Sequence, residues 1–435
     1  MNRTFPTFKT SLLAALAVCA VAAGVLLTPD SHEVDARDTD GWFNYVDYYV
    51  GADNTIARIR GDLVAELDGA MNRIDAAIAG LDDDEIVAAL IDAADRGVRV
   101  RVVGDASQEN DDGFADLVDH PDIDVVFGNG ELAYLPDPTL SPLLEVCATH
   151  DSGDYITCTR SSTVTGPANT PNIMARPDNY NVMSHTFFLI DATYLWNITA
   201  PLTGDQGLWL AFRAMSEEMT RSFEREFRQM HGGVFATTLS VYNGPLKSIT
   251  HTEPARFTNR GMLRVRFNPQ ERLVKNVIDE IYRARSSVFL MTENLQNRDM
   301  INALRYKHEA GFEVRVLVGQ SQGATGQELL DEIDGLNVVQ APASLGRLPT
   351  FVVLDSERDR NNNQPPRTVQ ILSHELWRSE PFEVLANLPD DLVRIYPSDT
   401  FADGVLWELV ENWTVPTPAL AEFVQTWEAM WNQAN

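Results

Sequence analysis

The sequence predicts two similar α/β lobes on one chain, and three observations carry that prediction. The first is a repeat at a constant offset of 214 residues. Leu63 matches Val277, Leu67 matches Ile281, Ala70 matches Ala284, Ile74 matches Val288, Leu90 matches Leu304 and Gly97 matches Gly311, and Val100-Arg101-Val102 falls on Val314-Arg315-Val316. The second is an apolar run, Phe187 to Ile190, that ends in Asp191 and returns as Phe351 to Leu354 ending in Asp355, at an offset of 164. The third is a closing segment in which Phe223, Phe227 and Met230 match Phe423, Trp427 and Met430 at an offset of 200.

Each repeat reads as helix, strand, helix, glycine turn, strand. Ile59, Leu63, Leu67 and Ala70 keep helical spacing. Asp82 to Glu85 place negative charge where the next helix begins, which the helix dipole favours. Residues 45–235 form the expected first lobe and residues 255–435 the second, with the boundary between Gly232 and Arg260. The smaller second offset leaves the first lobe with about 50 extra residues, an insertion over 130–180 rich in Pro, Thr and Ser. Strands that alternate with helices predict largely parallel sheets. The aromatic and Met positions of the closing segments recur at helical spacing, the pattern of a buried stripe rather than of a membrane-binding face.

Residues 1–30 read as an export signal. Arg3 and Lys9 precede an apolar run to Leu27, Ala20-Val21-Ala22 offers a cleavage site, and residues 31–44 form an acidic linker. Lipidation at Cys19 and an uncleaved anchor helix are the alternatives. In each case the body leaves the cytoplasm, for a periplasmic, envelope-associated or extracellular location. In that setting Cys147 and Cys158 are expected to form a disulfide closing a surface loop. The 435 residues carry 63 acidic and 34 basic side chains, a formal charge of -29, so nucleic acid is not an expected partner. Only four of the basic residues are lysines: Lys9, Lys247, Lys275 and Lys307.

The duplication, the Val100-Arg101-Val102 strand, the apolar strand ending in Asp, the Arg264-Val265-Arg266-Phe267-Asn268-Pro269 opening and the closing helix together resemble the phospholipase D superfamily, over residues 45–435. The resemblance implies two α/β/α lobes, each contributing an H-x-K-x4-D motif to one shared site. One histidine would attack phosphorus and the other protonate the leaving alcohol. Lysines would hold the phosphoryl oxygens, and each aspartate would orient a histidine, with no metal and no cofactor.

The residues depart from that pattern. Counting back from Asp191, the lysine position holds Thr186 and the nucleophile position Ser184; counting back from Asp355, they hold Thr350 and Leu348. None of the eight histidines is followed two residues later by lysine. The Gly-Ser-x-Asn turn that follows each motif is replaced by Ile198-Thr199-Ala200-Pro201 and Leu372-Ser373-His374-Glu375. Threonine carries no positive charge and leucine no phosphoryl group, so the expectation is a pseudoenzyme. It would act by binding, through the inter-lobe cleft or the inserted loop, with a phospholipid or another envelope component as partner. The alternative is an active phosphodiesterase or phosphatidyltransferase with an altered site.

Residues expected to line a residual cleft are Thr199, Ser373, His374, Glu375 and Arg378, with Arg347 and Arg378 as possible replacements for the lost lysine charge. His185 follows Ser184, but strand alternation turns it to the opposite face, toward packing. Gly319-Gln320-Ser321-Gln322-Gly323 matches the G-x-S-x-G pattern of serine hydrolases, with Asp355 and His374 following in order. A single large sheet is needed there, and the duplication argues against it. No metal site is expected.

Overall fold

In the computed structural model the described residues are 35–37, 43–50, 55–105, 108–128, 146–149, 155–159, 171–175, 183–203, 207–231, 255–257, 261–268, 271, 273–356, 368–372, 382–383, 394–395, 404–410 and 418–435. The export signal, His374 and its neighbours from Ser373 to Arg378, and much of the insertion lie outside them. The first lobe opens with β1 (Asp35–Arg37), β2 (Phe43–Tyr49), α1 (Thr55–Asp68), β3 (Arg73–Ile78), α2 (Asp84–Asp95), β4 (Arg99–Asp105), α3 (Asp112–Asp119) and β5 (Ile123–Gly128). In the insertion β6 (Val146–Thr149), β7 (Tyr155–Thr159) and β8 (Pro171–Ala175) form a separate antiparallel sheet whose register sets Cys147 opposite Cys158. The lobe closes with β9 (Thr186–Ile190), β10 (Tyr194–Ile198), β11 (Ala211–Met215) and α4 (Glu217–His231).

The second lobe repeats the plan. It runs β12 (Ala255–Phe257), β13 (Gly261–Asn268), α5 (Leu273–Arg283), β14 (Ser287–Thr292), α6 (Arg298–Glu309), β15 (Glu313–Val318), α7 (Ala324–Asp331) and β16 (Asn337–Gln340). It ends with β17 (Thr350–Leu354), β18 (Thr368–Leu372), β19 (Phe382–Glu383), β20 (Arg394–Ile395), β21 (Gly404–Val410) and α8 (Pro418–Ala434). The eight-stranded sheets have orders β1-β2-β11-β10-β9-β3-β4-β5 and β12-β13-β21-β18-β17-β14-β15-β16, the same path position for position.

The expectation of largely parallel sheets is corrected. In each lobe only three strands are parallel, β3-β4-β5 and β14-β15-β16, and every other pairing is antiparallel. The parallel pairs are those joined through a crossover helix, which a parallel return requires; β9 and β10 follow each other through a short turn, which makes a hairpin.

Three apolar clusters give the layers. Ile59, Leu63 and Leu67 of α1 and Ile86, Leu90 and Ala93 of α2 pack on one face of the first sheet. Leu273, Val277 and Ile281 of α5 do the same on the second. Between the sheets lies a shared core in which Phe223, Phe227 and Met230 of α4 meet Phe423, Trp427 and Met430 of α8. The two closing helices are therefore filling of the inter-lobe layer, and no described helix is long and apolar enough to cross a membrane. Asp83 caps α2 by accepting the Ile86 N–H at 3.2 Å, so the acidic run there is a helix start.

Candidate functional site

The two motif strands, β9 and β17, alternate as pleated strands must. Phe187 and Leu189 point into the shared core, and Phe188 and Ile190 point to the outer helices of the first lobe. His185 falls on the inward face and is fully buried. Its ring meets those of Phe187 and, from the second lobe, Phe267, with centroids 5.5 and 6.0 Å apart, and its Nε2 lies 3.5 Å from Oε1 of the equally buried Glu226 on α4. A side chain sealed in this way has no approach to a substrate, so it is no displaced nucleophile.

The other motif positions are occupied by packing. Ser184 is half-buried and Thr186 buried, with its Oγ1 facing the Ala79 N–H at 3.5 Å. Leu348 is part of the shared core, and Thr350 shares a 3.0 Å hydrogen bond with Thr292. Thr199 accepts the Leu210 N–H at 3.1 Å and so is used to tie β10 to the chain before β11. The lobes meet at the same place. Gly207 bridges to Arg347, the residue before Leu348, and the Leu208 N–H donates to the Arg347 carbonyl at 3.1 Å. Gly207 has φ +126°, and a Cβ there would stand 2.7 Å from that carbonyl, so only glycine permits the approach. Arg347 itself is exposed.

The two aspartates that match the motif sit at the other end of their strands, and this corrects the role the resemblance implied for them. Asp191 accepts the N–H groups of Met71, Asn72 and Arg73 at 2.9, 2.7 and 3.0 Å. Asp355 accepts those of Arg285 and Ser286 at 2.7 and 2.6 Å, and the Ser286 hydroxyl at 3.0 Å. Both adopt positive φ, 52° and 55°, a conformation Asp tolerates better than most residues. Burial alone would raise the Asp191 carboxyl, but the three N–H donors outweigh it and hold it below the ordinary aspartate range. Each aspartate fastens the turn that leads into the neighbouring antiparallel strand, β3 or β14, at the end of its own strand away from Ser184 or Leu348.

Sequence reasoning missed two carboxylates at the motif-strand entrances. Glu293, just after β14, is 5 % exposed; its Oε1 accepts the Ser321 N–H and its Oε2 the Leu348 N–H, each at 2.9 Å. In the first lobe Asp105, at the end of β4, is 2 % exposed and accepts the Met183 N–H at 2.5 Å. The Gly319 to Gly323 loop serves the same construction. A Cβ on Gly319 would lie 2.1 Å from Glu293, and one on Gly323 would lie 1.9 Å from Gln296, so its glycines make room for side chains. Ser321 is exposed, and Asp355 lies at the opposite end of the sheet, so these two described members of the hydrolase pattern are not brought together.

Glu271, before α5, is a titratable group at the lobe interface. Burial pushes its carboxyl up to about 7, the Phe267 N–H (2.8 Å) and Arg266 oppose the rise, Glu226 of the first lobe adds to it, and Arg264 opposes it. The unfolded chain ionises this group near 4.5. Between that value and 7 the unfolded state loses its proton first, so stability is full below pH 4.5 and falls as pH rises to 7. We expect Glu271→Gln to remove about 2 kcal/mol of that decline, the shift having been discounted for partial exposure. Urea midpoints at pH 5 and pH 8 measure it, and parallel losses in both proteins would contradict it. Among the described residues no group of three or more His, Cys, Asp or Glu is placed to hold a metal.

Comparison with known proteins bears on the fold. The family model described as "Cardiolipin synthase, PLD-like domain" matches residues 63–138. Phosphatidylserine synthase of Haemophilus influenzae Rd KW20 superposes with a TM-score of 0.52 at 11 % identity, over 92 % of this chain and 88 % of that one. Polyphosphate kinase of Porphyromonas gingivalis gives 0.45 at 14 % identity over 89 % of this chain, which spans half of the kinase's length. The phospholipase D family member Nuc of Salmonella typhimurium gives 0.29 at 14 % identity, over 42 % of this chain and 97 % of Nuc. No curated protein matches the sequence.

Proposed function

The chain has the phospholipase D superfamily fold in both lobes, and from that premise we propose that it is an exported, catalytically silent member that acts by binding. The observation that carries the reading is the state of the two motif entrances. Where the family chemistry needs histidine and lysine, this chain has Ser184, Thr186, Leu348 and Thr350, and the adjoining backbone is already held by Asp105, Glu293 and the Gly207–Arg347 bridge. Neither motif places a lysine there to stabilise charge on a transferring phosphoryl group.

The ligand is read as a phospholipid or another envelope component, in keeping with the lipid enzymes the fold resembles, and the insertion over 130–180 is the surface read as contacting it. The export reading is supported by the N-terminal sequence and by the register of Cys147 with Cys158. Cross-strand Cα atoms lie about 4.5–5.5 Å apart, within the span a disulfide bridges.

One preparation of the mature protein tests these points. Incubated with phosphatidylcholine, phosphatidylglycerol or a bis-aryl phosphodiester, it is expected to release no product, while vesicles of those lipids retain it and removal of residues 130–180 weakens retention. Its mass is expected to rise by two hydrogens on reduction. Turnover that is abolished by Ser184→Ala or His374→Ala would overturn the silent reading in favour of an altered phosphodiesterase.

A further inference from the structure

The repeat relation exposes an exchange at the motif entrances. At the offset of 214, Ala79 corresponds to Glu293 and Asp105 to Gly319. Each lobe thus has one acidic and one small residue in this pair, with the order reversed. Both arrangements deliver a buried carboxylate to a main-chain N–H just before the motif strand, Asp105 to Met183 in the first lobe and Glu293 to Leu348 in the second, where Glu293 also accepts the N–H of Ser321 in the loop after β15. Gly319 does not adopt a positive φ, so its backbone does not demand glycine; the carboxylate of Glu293, in the space its Cβ would fill, does.

Two N–H groups converging on one buried carboxylate make a seat for any small oxoanion, because phosphate, formate and a side-chain carboxylate offer the same acceptor oxygens. We propose that Glu293 is a built-in anion occupying an oxoanion seat at the entrance of β17, and that vacating this seat lets it take inorganic phosphate or formate from solution. The inference rests on the reading of these strands as a former phosphodiester site, and it deepens that reading: beside the positions emptied of their cations the protein holds an anion of its own.

The test uses the full mature chain with Glu293→Ala, Gly319→Asp and the two combined. Thermal midpoints are measured in chloride buffer and, at matched ionic strength, in phosphate or formate. Glu293→Ala is expected to melt about 5 °C lower and to recover part of that loss in phosphate or formate, with no such gain for the unaltered protein. Gly319→Asp alone is expected to be destabilised by collision with Glu293. The double variant rebuilds the first lobe's arrangement in the second, so it should be more stable than the sum of the single losses implies and should not respond to phosphate. A folded Glu293→Ala without an anion-specific gain, or a gain shared by the unaltered protein, overturns the proposal. If Glu293→Ala does not fold, the double variant decides alone: a folded protein supports the exchange and an unfolded one refutes it. Diester turnover by the unaltered chain would instead refute the silent reading, so the two failures are told apart.

Discussion

Phe223→Ala is expected to lower stability by about 3–5 kcal/mol, the range for removing a fully buried aromatic ring, and to lower the midpoints of both lobes together. Phe223 is fully buried, and its ring stands edge-on to three others: Phe187 and Phe212 of the first sheet at 5.0 and 6.2 Å, and Phe267 of the second at 4.9 Å. The cavity left by truncation would open onto both sheets at once. Phe212 also meets Trp407 and Tyr48 meets Phe423, so aromatic contacts cross from each lobe into the other's closing elements. Since a domain's net stability is only about 5–15 kcal/mol, a loss of this size should shift one cooperative transition visibly. Urea unfolding followed by tryptophan fluorescence and by far-ultraviolet circular dichroism would show it. Two separated transitions, with one unmoved, would mean that the lobes fold independently and that the shared core is a mere contact.

The repeat was legible because burial imposes it: apolar residues on helices and strands of the same fold must recur at fixed separations, and Leu63 with Val277 or Leu90 with Leu304 does so. The sense of the strands was not, because alternation of helix and strand describes only β3 to β5 and β14 to β16, while the hairpin partners β9 and β10 are too short to announce their direction. At the site, the loss of histidine and lysine could be read from spacing alone. The job of the retained aspartates could not, since a motif in sequence does not say which end of a strand a side chain serves. Asp105 and Glu293 escaped because each looks like an ordinary polar loop residue beside its neighbours. Their signal lay in the comparison between repeats, where an acidic and a small residue exchange places.

Asp355→Ala is expected to lower stability by about 2–4 kcal/mol, because it strips a charged acceptor from three donors at once. The Arg285 and Ser286 N–H groups and the Ser286 hydroxyl would lose the oxygen that holds them, and the Asp355 N–H, which donates to the Ser287 carbonyl at 3.0 Å, would be left to maintain the turn alone. Alanine also tolerates the positive φ at this position less well than aspartate does. Asp355→Asn keeps one acceptor oxygen and the favourable conformation, so it should recover much of the loss. Asp191→Ala should behave alike, since it does the same work for Met71, Asn72 and Arg73. Thr350 and Asp355 are separated by five residues of extended strand, roughly 17 Å at about 3.3 Å per residue. The damage should therefore stay structural: the gain in midpoint that phosphate confers on Glu293→Ala should persist when Asp355→Asn is added. An unchanged midpoint in Asp355→Ala would show the carboxylate to be idle. Loss of the phosphate response in the combined variant would tie the two ends of β17 together, and with them the aspartate to the site.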